Sequence, residues 1–458
     1  MKNKNILVVG LGVSGIACIK GLKKLGSNIF AYDESPKENC TEKIEEIKDL
    51  GVTYFFGNDE INKINFNILD LAIKSPGIKY EVPIIKKLIE KNINVISDIE
   101  AAFMVTDATI VSITGTNGKT TTTTLIGEIV KESKKNYKLT GNIGYGMFYD
   151  AINSKKDDII VAEVSSFQLA GTCCYKPHIS VITNITPDHI DYHHTYENYI
   201  DAKFQNVINQ DEKDFAILNY EDEIIVGFTD KIKAKKIFFS SERILEDGIY
   251  THKGKMVYKH DGIIEFIINI DEIFIPGKHN LENAMCAAGA AIALGINYET
   301  IAYVLKNFKG VEHRLEFCGE YNGVKFYNDS KGTNPDASIK AVEGIEKPIV
   351  LIAGGYDKNS SYDEFIKSFD GKVKALVLLG QTADKIETTA RKYNFTNIYR
   401  VENMDEAVKK CFEISSTGDN VVLSPACASW GMYPNYEVRG RDFKERVNYY
   451  GGNGTKTK

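Results

Sequence analysis

A chain of 458 residues is too long for one ordinary hydrophobic core, and its length points to about three domains. Apolar residues make up 43% and charged residues 26%, a balance that excludes a disordered or membrane-embedded chain. The net charge of -6 gives no reason to expect nucleic acid or a membrane surface as a partner.

Residues 1–5 contain no signal-peptide apolar region and lead straight into a strand at 6–9. A glycine turn and a helix to about Leu25 follow, then strands at 28–32 and 69–73, the latter ending at Ser75-Pro76-Gly77. Strand and helix patterns that alternate in this way predict βαβ units on a parallel sheet, closing near residue 97. A second unit opens with a strand at 108–113, a glycine loop and a helix from Thr120, with further strands at 159–164, 179–183 and 215–218. Residues 235–275 read as short antiparallel strands with turns at Lys253-Gly254 and Asp261-Gly262. A helix of small residues spans 280–294. Around Gly310 a third unit starts with a hairpin over 315–326 about Asn322-Gly323, then strands at 349–353, 375–379 and 421–423 separated by helices. The polar, glycine-rich segment 451–458 reads as a disordered tail. The expected domains are therefore 1–97, 98–309 and 310–450, with the tail 451–458. No apolar run reaches the roughly 18 residues of a transmembrane helix. The eight cysteines are scattered, only Cys173 and Cys174 adjoin, and no CxxC pair indicates a zinc site or disulfide framework. They read as reduced, mostly buried thiols of a cytoplasmic protein.

Two glycine loops carry the strongest chemical signals. Gly10-Leu11-Gly12-Val13-Ser14-Gly15 matches GxGxxG, follows a strand, opens a helix, and precedes Asp33 at the end of the next strand. Its glycines let backbone N–H groups and a helix N-terminus approach a diphosphate. Taken alone it suggests a nicotinamide-dinucleotide dehydrogenase; its plainer reading is a tight turn that needs glycine. The second loop is Thr114-Gly115-Thr116-Asn117-Gly118-Lys119-Thr120-Thr121, on the same strand–loop–helix frame. Its N–H groups suit phosphates, Lys119 neutralises charge, and the Thr120 hydroxyl suits Mg²⁺. It departs from the commonest P-loop because Ile113 occupies the outer glycine position. Glu163 ends an apolar strand and would reach the carboxyl edge of the sheet, where a carboxylate can bind Mg²⁺ on ATP phosphates. Asp188-His189 reaches the same edge after a short turn. Lys203 lies on a helix expected over 196–207, and unaided it reads as a solvated surface lysine.

Taken in order, Thr114 to Thr121, Glu163-Val164-Ser165-Ser166-Phe167-Gln168, Asp188-His189 and Tyr199-Ile200-Asp201-Ala202-Lys203 resemble the Mur ligases. So do His279-Asn280, His313-Arg314, Asp329-Ser330-Lys331 and Ser424-Pro425-Ala426-Cys427-Ala428-Ser429, which carry the resemblance over nearly the whole chain. The resemblance is closest to the family's D-glutamate-adding members. It implies an α/β protein of three domains: a Rossmann-like N-terminal domain, a central P-loop ATPase-like domain with a small antiparallel sheet, and a C-terminal Rossmann-like domain.

The implied activity is ATP-dependent ligation of D-glutamate to UDP-N-acetylmuramoyl-L-alanine through an acyl phosphate, in cytoplasmic peptidoglycan precursor synthesis. The protein is expected to be a monomer with these small molecules, and neither nucleic acid nor membrane, as partners. The first loop then holds UDP rather than NAD, through Gly12, Val13, Ser14, Asp33, Glu34, Ser75 and Gly77, with Asn142 and His189 at the muramoyl end. ATP is assigned to Gly115, Thr116, Asn117, Gly118, Lys119, Thr120 and Thr121, with Asn280, His313, Arg314, Asp329 and Lys331. D-Glutamate is assigned to Thr333, Lys358, Ser429 and Tyr436; the family often has phenylalanine at the last position. Two Mg²⁺ sites are implied, with Thr120, Glu163, His189 and an N-carboxylated Lys203 as ligands, and Lys119, Glu163, His189 and Lys203 as the catalytic set. The competing readings are a relative that adds L-alanine, a diamino acid, a dipeptide or glutamate to folate; an NAD-dependent dehydrogenase; and a non-catalytic nucleotide switch. The Asp-Asn-Pro-Arg box of diamino-acid adders is absent.

Overall fold

The computed structural model describes residues 1–358 and 360–453. Three sheets carry the chain. In the first, β1 (Asn5–Val9), β2 (Asn28–Asp33), β3 (Thr53–Phe56), β4 (Leu71–Lys74) and β5 (Val95–Ser97) are all parallel, in the order β3-β2-β1-β4-β5. The apolar run in β1 follows from burial on both faces. Ile6 and Val8 pack with Ile16, Ile19 and Leu22 of the helix Val13–Lys24, while Leu7 and Val9 pack with Ile84, Ile85 and Leu88 of the helix Pro83–Glu90.

The second sheet comprises β6 (Thr109–Thr114), β7 (Tyr137–Gly141), β8 (Ile159–Glu163), β9 (Ile179–Ile182), β10 (Phe215–Asn219), β11 (Lys235–Ser240), β12 (Gly248–His252), β13 (Lys255–His260) and β14 (Ile263–Asn269). Their order is β14-β13-β12-β11-β10-β9-β6-β8-β7. The antiparallel reading of 235–275 needs correction at its start, since β11 pairs parallel with both β10 and β12. A helical crossover, Glu223–Phe228, separates β10 from β11, so no hairpin joins them. The two expected turns confine antiparallel pairing to β12, β13 and β14. The P-loop helix, Lys119–Glu132, begins one residue earlier than the sequence suggests.

The third sheet holds β15 (Glu316–Tyr321), β16 (Val324–Asn328), β17 (Ile349–Ala353), β18 (Val373–Leu378), β19 (Ile398–Arg400) and β20 (Asn420–Leu423), in the order β15-β16-β20-β17-β18-β19. Only the β15–β16 hairpin is antiparallel. The expected tail needs correction too. Helix Tyr436–Asn453 runs through Gly451 and Gly452, and the remaining tail residues, 454–458, lie outside the described residues.

The three sheets group into two compact units, Met1–Phe274 with Lys278–Asn307, and Ile275–Gly277 with the chain from Phe308 onward. Within the first unit one hydrophobic cluster joins the first two sheets, with Ile6, Ile19 and Leu22 packed with Met147, Phe148 and Ile160. Among the described residues no helix is long and apolar enough to cross a membrane.

Candidate active site

The first glycine loop is fastened from both sides. Asp33 accepts the Leu11 N–H at 2.7 Å and the Ser35 N–H at 3.0 Å, so both carboxylate oxygens hold backbone. Ser75 donates its hydroxyl to Gly10 O at 2.9 Å. A Cβ on Gly15 would lie 1.9 Å from Gly10 O, whereas one on Gly12 or Gly77 would meet nothing within 4 Å. Gly12 caps the helix Val13–Lys24 without a side-chain bond, and the open space beside it leaves the helix start accessible to a diphosphate. Val13 is exposed beside it. Glu34 accepts from Asn58 Nδ2 at 3.3 Å and lines a small recess with Gly10, Tyr32 and Ile78.

The second loop leaves β6 and is held by the end of β9. Thr116 N–H donates to Asn184 O at 2.8 Å, Asn117 N–H to Asn184 Oδ1 at 2.9 Å, and the Thr183 hydroxyl to Asn117 O at 2.6 Å. Gly115 and Gly118 have φ of +143° and +82°, and a Cβ on either would lie 1.9 Å from Thr183 Oγ1 or 2.2 Å from Asn283 Oδ1. Glycine is therefore required twice over, by dihedral and by space. Lys119 Nζ folds back to donate to Gly115 O and Thr116 O, each at 2.9 Å. Thr120 and Thr121 open the helix that follows. Asn280 lies on the helix Lys278–Ala293, where Asn283 Nδ2 approaches its Oδ1 at 3.4 Å.

Glu163 closes β8 and is only 3% exposed. Its Oε1 accepts from Asn142 Nδ2 at 3.0 Å, and its Oε2 is buried without a hydrogen-bond partner. An unsatisfied buried carboxylate oxygen is costly, and a hard divalent cation is the partner it lacks, so the residues present fit Mg²⁺. His189 stands in the left-handed region, φ +52°, with its ring 4.8 Å from that of Phe167 and Nε2 3.5 Å from Asp188 Oδ2. A non-glycine residue there is uncommon and is held by its surroundings.

Lys203 is buried, contrary to its surface-lysine reading. Its Nζ donates to Gly115 O at 2.7 Å and lies 4.7 Å from the centre of the Tyr199 ring. One carbonyl thus accepts from both Lys119 and Lys203. Burial, and then the Lys119 charge, hold the Lys203 amine well below the ordinary lysine range, with Asp188 opposing. Tyr199 reaches Thr116 Oγ1 at 2.8 Å.

Hydrogen bonds tie the first glycine loop to the segment that follows Glu163. Buried Asp98 takes a bond from Ser14 and another from Gln168 Nε2 at 3.0 Å. Fully buried Lys74 donates to Ile78 O at 2.9 Å and contacts the Tyr192 hydroxyl at 3.3 Å, and the Tyr192 ring lies 4.3 Å from Phe167. Burial pushes the Lys74 amine down to about 8. His193, 3.0 Å from Ser166 Oγ, is pushed to about 4, chiefly by burial, and stays neutral. Sequence reasoning missed Lys74, Asp98, Thr183, Asn184, His193, Tyr199 and Asn283. Lys74, Asp98, Thr183 and Asn184 stand at or just past the end of an apolar run, Tyr199 opens the quoted stretch Tyr199 to Lys203, and His193 and Asn283 carry no such signal.

In the second unit His313 is buried at φ +65°, Nδ1 2.9 Å from Asn328 Nδ2, with Nε2 making no hydrogen bond and standing 3.7 Å from Glu312 Oε1. Its ring and the Lys331 ammonium approach the Tyr436 ring, 5.9 and 5.4 Å from its centre. Asp329 accepts the Ser424 hydroxyl at 2.7 Å; burial pushes its carboxyl up to about 7, against Ser424, Leu315 N–H and Arg314. Thr333 N–H donates to Lys331 O at 2.8 Å. Lys358 Nζ stands 4.8 Å from the Trp430 ring centre, next along the chain from the buried Ser429. Trp430 is half exposed, its ring 5.6 Å from that of Tyr356. Arg439, also missed, is buried and binds Ser330 O at 2.7 Å and Cys427 O at 3.1 Å, joining the two loops that carry Asp329 and Ser429.

The sequence matches a MurD-like N-terminal domain over residues 4–97, the Mur ligase middle domain over 113–291, and the Mur ligase glutamate ligase domain over 313–427. It is 50% identical over 449 residues to the UDP-N-acetylmuramoylalanine–D-glutamate ligase of Thermoanaerobacter sp. (strain X514), covering 98% of each chain. It is 43% identical over 450 residues to the ligase of the same name from Clostridioides difficile (strain 630), covering 98% of this chain and 99% of that one. Among solved structures it resembles the UDP-N-acetylmuramate-alanine ligase MurC of Thermotoga maritima, with TM-score 0.58, 19% identity and coverage of 98% and 100% of the two chains. The MurF ligase of Thermotoga maritima in complex with ADP gives TM-score 0.54 at 17% identity, over 86% of this chain and 92% of that one. At these identities the structural likeness speaks for the fold alone.

Proposed function

The chain belongs to the Mur ligase family, and we propose that it joins D-glutamate to UDP-N-acetylmuramoyl-L-alanine, converting ATP to ADP and phosphate. The observation that carries this reading is likeness over 98% of the chain, at up to 50% identity, to ligases bearing that name. Gly12, Val13 and Ser14 at the helix start, with Asp33, Glu34, Ser75 and Gly77, take the UDP, and Asn142 and His189 steer the muramoyl end. Thr333, Lys358, Ser429 and Tyr436 take D-glutamate; Asn280, His313, Arg314, Asp329 and Lys331 serve the nucleotide. The protein works in the cytoplasm as a monomer on these small molecules.

The loop amides from Gly115 to Thr121 and the Lys119 ammonium orient the γ-phosphate and offset the charge that develops on it. The substrate carboxylate attacks in line, giving an acyl phosphate and ADP. The D-glutamate amine then attacks the acyl carbon, and the tetrahedral intermediate collapses to amide and phosphate. Positioning and electrostatics supply most of the acceleration. Mg²⁺, when bound, supplies Lewis-acid charge; Thr120 and Glu163 would hold one ion, His189 and an N-carboxylated Lys203 a second. The buried Lys203 amine, disfavoured as an ammonium, is prepared to add CO₂, losing a proton and becoming a carbamate.

The test is phosphate release from ATP and UDP-N-acetylmuramoyl-L-alanine, with amino acids supplied one at a time. D-Glutamate should be required. Release that needs another amino acid and ignores D-glutamate would sink the proposal.

A further inference from the structure

Cys173 and Cys174 lie outside the machinery described above, and unlike five of the other cysteines they are exposed. Their sulfurs are 3.6 Å apart. The bend that carries them is held by Glu100, which is almost fully buried on the helix Asp98–Phe103. Its carboxylate accepts the backbone N–H groups of Cys173, Cys174 and Tyr175, each at 3.0 Å. Tyr175 is fully buried, and Gly171 O accepts the Ser97 N–H at 3.0 Å, so the backbone on both sides of the pair is anchored. Two thiols are thus presented to solvent at a separation one atom can bridge.

We propose that Cys173 and Cys174 form a vicinal dithiol site for trivalent arsenicals. An arsenoxide R–As=O condenses with both thiols to a cyclic R–As(S)₂ adduct and water. Two As–S bonds form, the As=O bond and two S–H bonds break, both protons leave in the water, and arsenic stays trivalent. The two sulfurs and a Glu100 oxygen also lie within 4.8 Å of one another, the set a soft divalent cation would need. That alternative is disfavoured because the Glu100 oxygens already accept three N–H groups and a divalent cation needs thiolates. The Cys174 thiol, partial burial and the Glu100 charge push the Cys173 thiol up to about 11 and keep it protonated. Condensation is proton-neutral overall, both thiol protons leaving in the water, so the raised thiol slows attack but does not oppose the adduct at equilibrium.

The full-length protein, freed of reductant, is titrated with phenylarsine oxide and its intact mass is read. One adduct per chain is expected, resistant to a monothiol and removed by 2,3-dimercaptopropanol. The adduct should be lost in both Cys173→Ser and Cys174→Ser, with melting temperature and ligase rate unchanged. An unmodified wild-type chain, or an adduct that survives in either variant, overturns the proposal. So does stoichiometric Zn²⁺ retention that Cys173→Ser abolishes, which would make the pair a metal site instead.

Discussion

Lys203 keeps its amine inside the protein, 2.7 Å from Gly115 O, where burial and the Lys119 charge both oppose protonation. If it serves as a carbamate, Lys203→Ala should lower turnover at least about a hundredfold, the scale of a lost electrostatic contact at a reacting phosphoryl group. Added formate or acetate should restore part of it by supplying the missing carboxylate. A Lys203→Ala enzyme at full rate without them would remove the residue from the mechanism. Asp329 is the second buried group whose ionisation matters. Burial raises its carboxyl to about 7, so the native state holds the proton more tightly than the unfolded chain. Its contribution to stability is complete below the unfolded value of about 4 and is lost as pH rises through about 7. Asp329→Asn cannot ionise, so melting temperature measured against pH should lose that part of its fall; an unchanged slope would contradict this. Both residues are visible as letters, but neither is visible as buried. Their burial comes from elements far along the chain: Gly115 lies 88 residues from Lys203, and Ser424 lies 95 from Asp329.

At the scale of elements, the strand–glycine–helix units were the most legible part of the chain. Each combines an apolar run with a glycine turn that needs positive φ at Gly10 in the first loop and at Gly115 and Gly118 in the second. The glycines are not equivalent. Gly12→Ala places its methyl group in open space, and should leave the melting temperature unchanged while raising KM for the UDP-sugar at least about tenfold by obstructing the helix N-terminus. Gly15→Ala drives its methyl group to 1.9 Å from Gly10 O, and should destabilise by about 1–3 kcal/mol, the usual cost of overpacking. The reverse ranking in thermal melts would show that the ligand face of the loop has been misassigned. β11 was misread because pairing direction depends on connection: an apolar stretch is the same whether a hairpin or a helical crossover brings it in. β3 and β7 were missed as short edge strands: β3 is only four residues long, and β7 alternates apolar with polar residues, Tyr137-Lys138-Leu139-Thr140-Gly141.

At the scale of the molecule, the chain forms two compact units, and the sheet carrying Gly12 shares the first with the P-loop sheet. UDP at about 100 times its Kd should stabilise the unit that binds it by about 2.7 kcal/mol. Hydrogen exchange should then slow around Gly12 and Ser75 in the first sheet. Protection confined to the third sheet would refute the placement of the UDP site. The sequence alone determined the two phosphate-type loops, the order of the α/β units and the family, because glycine spacing, strand runs and short polar motifs are local. Only the tertiary structure decided that Lys203 is buried against the P-loop, that one Glu163 oxygen lacks a partner, and that Asp98 links Ser14 of the first loop to Gln168 in the segment after Glu163. These depend on which distant backbone and side-chain groups meet away from water, and that is set by how the sheets pack rather than by any stretch of chain.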